Sequence, residues 1–113
     1  MLSILGFYKV HFALRYRVDA IVKALEELNV PVKLYVFGSA INGKVHLNSD
    51  LDVAFKTIEG KSYDVHLAIA EAFHSEEDSP IQSIDIFNVD MLKPCRLLDE
   101  ILKGVVVYNS LEV

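Results

Sequence analysis

The sequence predicts a mixed α/β (α+β) domain in which a mixed β-sheet is flanked by helices. Segments with helical apolar spacing alternate with short runs of β-forming residues. Apolar residues make up 52% of the 113 and are spread along the whole chain, enough for one real core. No repeat, low-complexity tract or Gly/Ser linker interrupts them, so residues 1–113 are expected to form a single domain.

The elements follow in order. The apolar opening from Met1 to Tyr8 has no basic residue ahead of it and no small-residue cleavage pattern, so it reads as part of the fold rather than a signal peptide. Between Phe12 and Leu28, Leu14, Val18, Ile21, Val22, Leu25 and Leu28 recur at steps of three and four, an amphipathic helix. It should stop at Asn29 to Pro31, because proline disfavours helical geometry in the residue before it. Lys33 to Phe37 reads as a strand, broken by Gly38-Ser39 and followed by a short polar segment to Ser49. Asp50 to Phe55 reads as a second strand, with Leu51, Val53 and Phe55 alternating with Asp50, Asp52 and Ala54. Glu59 and Gly60 mark a turn, and Val65, Ile69, Ala72 and Phe73 suggest a helix to about His74. After a solvated acidic loop, Ile81 to Val89 is a third strand, Pro94 to Leu102 a third helix and Val105 to Tyr108 a last strand.

Composition narrows the function classes. The balance of 11 basic and 16 acidic residues leaves a net charge of −5, and the basic residues are scattered. That opposes the phosphate neutralisation on which binding to long nucleic acids depends, while a small anion escorted by a metal stays compatible. The single cysteine, Cys95, has no disulfide partner, which points to a reducing, cytoplasmic setting. No apolar run approaches the ~18 residues needed to cross a bilayer, so no membrane association is expected.

The chemistry concentrates between Val36 and Val53. Asp50 and Asp52, two apart in a strand, leave the same face with Cα atoms roughly 7 Å apart, while Leu51 and Val53 enter the core. Like charges so close repel unless a hard dication lies between them, and magnesium accepts carboxylate oxygens while keeping positions for water and phosphate. Gly38-Ser39 stands at a strand end, where glycine lets backbone N–H groups approach an anion such as triphosphate. Gly43 suits the return towards the second strand, and Lys44 could face solvent or reach a phosphate.

Gly38-Ser39, ten residues, then Asp50-x-Asp52 resembles the signature of the minimal nucleotidyltransferases of the DNA polymerase β superfamily. Gly43 and Ser49 also match the common form of that motif. In the family a third carboxylate comes from a later strand, and Ile84-Asp85-Ile86 is similar to that pattern. The resemblance covers roughly Lys33 to Tyr108 and implies a nucleotidyltransferase-like fold. It departs at Ala40, where many members carry arginine or another polar residue.

The resemblance further implies that Asp50, Asp52 and Asp85 are the catalytic and metal-binding residues. Asp50 and Asp52 would coordinate two Mg2+ ions, and Asp85 would hold the acceptor-side metal and is the candidate for the acceptor's proton. Gly38, Ser39 and Ser49 would form the nucleotide-binding part, with ATP or another NTP as substrate and AMP the transferred group. The 113 residues are expected to hold no extra helical domain of the kind larger relatives use to bind an acceptor, so the implied acceptor is a partner protein. Minimal members pair with an all-helical HEPN-type protein, in which case this chain would be the antitoxin that adenylylates its partner.

Alternatives from other classes stay open. The chain could be a non-catalytic interaction subunit that binds and neutralises a helical partner, and Leu2, Ile4, Leu5 and Phe7 could supply that patch, a homo-oligomer contact or simply core packing. Transfer to a small hydroxylated molecule needs a pocket that a chain of this length is not expected to close alone. Asp90 competes with Asp85, but its offset of five residues would put it on the opposite strand face. His11, His46, His66 and His74 lack metal-ligand spacing, Cys95 is expected as a small buried residue at a helix start, and Tyr108 as a packing residue.

Overall fold

The computed structural model describes residues 4–42, 51–74 and 83–111. Helix α1 (Ile4–Lys9) leads through a 3-10 turn at Phe12–Leu14 into α2 (Arg15–Leu28). Strand β1 (Val32–Phe37) is followed by the short helix α3 (Ser39–Asn42), then β2 (Leu51–Thr57), α4 (Ser62–His74) and β3 (Ile84–Asn88). A 3-10 turn at Val89–Met91, α5 (Arg96–Leu102) and β4 (Val105–Asn109) are the last of the described elements. The expected alternation is present, and α1 is a helix within the opening segment.

The junction of α1 and α2 is tied by one side chain. Arg15 Nε donates to Val10 O at 3.0 Å and its Nη2 to Tyr8 O at 2.8 Å, satisfying carbonyls that the end of α1 leaves without helical partners. Helix α2 buries Val18, Ile21, Val22 and Leu25 along one stripe. It stops where expected, at Asn29, which adopts the left-handed conformation at φ 56° and donates its N–H to Glu26 O.

The sheet has the order β3-β2-β1-β4. Strand β1 pairs antiparallel with β2 and β4, while β2 and β3 run parallel, α4 making the crossover that a parallel pair requires. One face carries Val32, Leu34, Val36, Leu51, Val53 and Phe55 against α2 and α4, and this is the main core. On the other face Tyr35, Phe37 and Ala54 pack around Ile101 of α5. The pairing of β1 with β4 shifts between Leu34 and Tyr35, whose partners are Tyr108 and Val106. Val107 is the extra residue, and this bulge lets Val107 and Tyr108 both enter the main core.

Two expectations need correction. Cys95 precedes α5 in an extended conformation and is exposed, not buried. The packing of that helix rests on Ile101, and Cys95 lies before the turn that meets the sheet. Asp90 is not on a strand, because β3 ends at Asn88. The Asn88 side chain accepts the Asp90 N–H at 3.0 Å and opens the 3-10 turn, so the alternation argument does not reach Asp90. The expected residues Ile81 and Gln82 of the third strand and the acidic loop after His74 lie outside the described residues.

Candidate functional site

The site is built on the face of the sheet that α2 and α4 do not cover. Alternation along β2 turns Leu51 and Val53 into the main core, both fully buried, and leaves Asp52 on the opposite face. The same alternation in β3 sends Ile84 and Ile86 towards the main core and Asp85 the other way. Register then brings the two acids together: Asp52 and Asp85 are direct partners across the parallel β2–β3 pair. Asp52 is half-buried and Asp85 exposed, so the pair sits at the rim of the face with access from solvent.

The first β-strand supplies the third part. Phe37, its last residue, pairs with Asp52 across the antiparallel side, and Gly38 follows at φ +74°. A Cβ built on Gly38 would lie 2.5 Å from Asp52 Oδ2 and 3.4 Å from its Cγ. The Asp52 carboxylate therefore occupies the space where any other residue would carry its side chain, and only glycine combines that φ with that approach. Ser39 opens α3 directly afterwards, and Ile41 N–H donates to Gly38 O at 3.2 Å, closing the turn.

Apolar residues share the sheet face with the two acids. Phe37 and Phe87 approach with ring centroids 6.0 Å apart, and Ala54 and Ile101 continue the surface. Alternation could have revealed Phe87 as a companion of Asp85, since it lies two residues beyond it, whereas the place of Phe37 opposite Asp52 follows only from strand pairing. Gly104 closes the same corner from α5: a Cβ there would lie 2.6 Å from Val36 O and 2.8 Å from Phe37 Cβ.

Of the expected site residues, Gly38, Ser39, Asp52 and Asp85 are described; Asp50 and Ser49 lie outside the described residues, as do Gly43, Lys44 and His46. Among the described residues no three His, Cys, Asp or Glu side chains form a metal-holding group. The donor set suits a hard dication nonetheless: two carboxylates on neighbouring parallel strands, one half-buried against a glycine that leaves it room, offer oxygen ligands alone. His11 stacks on Phe12 at 4.7 Å, and His66 and His74 are exposed on α4. Among the described residues no helix is long and apolar enough to cross a membrane.

No curated protein matches the chain. A family model described as Polymerase beta, Nucleotidyltransferase matches residues 19–112, from within α2 to beyond the end of β4. With a mixed four-stranded sheet flanked by helices and a match over most of its length, the chain belongs to the polymerase β nucleotidyltransferase family.

Proposed function

We propose that the protein is a magnesium-dependent adenylyltransferase that moves AMP from ATP to a partner protein, acting as the antitoxin of a HEPN-type pair in the cytoplasm. Family membership carries the general part, nucleotidyl transfer from an NTP with a divalent metal. The observation that carries the site is the direct pairing of Asp52 with Asp85 beside Gly38.

In this reading Asp50 and Asp52 would coordinate both magnesium ions through their carboxylate oxygens, and Asp85 would hold the ion on the acceptor side. Magnesium bound by these carboxylates would supply Lewis-acid stabilisation of the charge that develops during transfer. Gly38 and Ser39 present backbone N–H groups to the β and γ phosphates and so fix the α phosphorus for attack. Asp85 takes the acceptor's proton as the new O–P bond forms and pyrophosphate leaves.

ATP labelled separately at the α and γ phosphates tests the reaction, with magnesium and the helical partner present. Label transferred from the α position alone is expected; γ label on the acceptor would indicate a kinase. Asp52→Asn and Asp85→Asn should each lower the rate by at least about 100-fold with circular dichroism and melting unchanged, and undiminished transfer in either variant would remove that carboxylate from the site.

One observation favours the interaction reading. Tyr8, Phe12 and Tyr16, spaced four residues apart, expose 62%, 74% and 41% of their surface across α1, the 3-10 turn and α2. Partner binding that survives in Asp52→Asn, without transfer by the unsubstituted protein, is the outcome that reading expects.

A further inference from the structure

Strand β3 stands at the margin of the sheet and carries the acid Asp85. Its inner side is used by β2. In a parallel pair, alternate residues of a strand turn their backbone groups to the neighbour. Leu51 N–H donates to Ser83 O at 3.1 Å, so Ser83, Asp85 and Phe87 face β2, while Ile84 and Ile86 point their N–H and C=O groups outwards. Among the described residues nothing bonds to those outward groups.

An unpaired edge is a template for one more strand. Residues directly opposite one another in such a pair share a face, with Cβ atoms ~4.5–5.5 Å apart. A strand added to β3 would therefore place the residue opposite Asp85 on the face that holds Asp85 and Asp52, and its two neighbours beside Ile84 and Ile86. Because Asp52 pairs with Asp85, the guest residue and the two acids would lie in one row across three strands.

Charge chooses between guests. A second copy paired through Asp85 would set two carboxylates opposite each other, a destabilising arrangement, in a chain that already carries −5. A segment with basic residues on the acid-facing side and apolar ones beside the half-buried Ile84 and Ile86 complements the edge. We infer that β3 receives an extended, basic segment of the acceptor protein as an added strand, with a hydroxyl-bearing side chain opposite Asp85. The inference rests on the reading of Asp85 as the acceptor-side acid. In the transfer the hydroxyl oxygen bonds to the α phosphorus of ATP, the bond from that phosphorus to pyrophosphate breaks, and the hydroxyl proton passes to Asp85. In a helical partner a tail or loop supplies the segment.

Peptides in which Lys and Val alternate around one central residue test this, with valines next to a central serine, tyrosine or alanine. In amide NMR spectra of the whole protein, millimolar peptide should move the Ile84 and Ile86 signals several times further than those of Asp85 and Phe87, whose N–H groups already face β2. A peptide N-methylated at the central residue and both its neighbours should leave all four in place. With magnesium and α-labelled ATP, the serine or tyrosine peptide should take up label and the alanine peptide none.

Unmoved Ile84 and Ile86 signals, equal movement along β3, or movement that survives N-methylation overturns the inference. Movement with rising protein concentration alone would give the edge to a second copy and also overturns it. Label on the helical partner in any of these cases leaves the proposed reaction standing. Label on the partner and on neither peptide, with the signals moved, removes the place of the acceptor residue opposite Asp85. Moved signals with no label on peptide or partner keep the docking edge and remove the reaction.

Discussion

Gly38 carries two independent constraints on one residue. Its φ of +74° disfavours a side chain, and the place a Cβ would take is filled by Asp52 Oδ2. Gly38→Ala should therefore cost about 2–3 kcal/mol, read as a lowered urea midpoint. Adding Asp52→Ala to that variant should restore the steric share and leave the backbone share, ~1 kcal/mol. Strict additivity of the two substitutions would mean that the carboxylate does not lie against Gly38. Gly38, Ser39 and Asp52 stood out in the sequence by the spacing of a motif that resembles the family's, whereas Asp85 was picked out only by the resemblance of Ile84-Asp85-Ile86 to the family's later strand. The exposure of Cys95 was not, because a residue type's average burial says nothing of which turn of a short helix meets the sheet.

Between elements, the contact of α2 with α4 turns on Arg17, a charged side chain only 3% exposed. Its Nη1 donates to Phe73 O at 2.7 Å, its guanidinium lies 4.1 Å over the Phe73 ring, and Nε donates to the Tyr16 hydroxyl at 3.1 Å. One planar cation thus satisfies a carbonyl in the last turn of α4 and packs between the two helices. Arg17→Met should destabilise by about 2–3 kcal/mol, leaving that carbonyl without its charged donor. Arg17→Lys should recover only part, since lysine lacks the planar fork. A melting curve for Arg17→Met equal to that of the unsubstituted protein would show that packing alone joins the helices. Strong periodicity made α2 and α4 readable from sequence, whereas α1, six residues long, is too short to display a helical period. Asn88 ended β3 by a side-chain bond to Asp90 N–H that no apolar pattern announces, and the extra residue at Val107 depends on pairing rather than on local sequence.

At the scale of the molecule, the net charge of −5 sets the terms for large polyanions. A labelled 30-nucleotide RNA at physiological salt should show no saturable binding below about 10 µM; tight, salt-sensitive binding would show that a local cationic surface outweighs the average. The division of labour between the two sheet faces was half visible beforehand. Leu51 and Val53 announced one face and Asp52 the other, but which strand would lie beside β2, and in which direction, depends on contacts far apart in the chain. Nothing local in Ile84-Asp85-Ile86 states that it runs alongside Leu51-Asp52-Val53.

That alignment has a mechanical consequence. Because Asp52 and Asp85 are anchored on hydrogen-bonded neighbours, the gap between their Cα atoms is set by the strand spacing of ~4.8 Å, so the backbone acts as a ruler for the two acids. Repacking the surrounding side chains leaves that ruler untouched. A slip of β3 by a single residue would turn Asp85 towards the helices and put an isoleucine in its place.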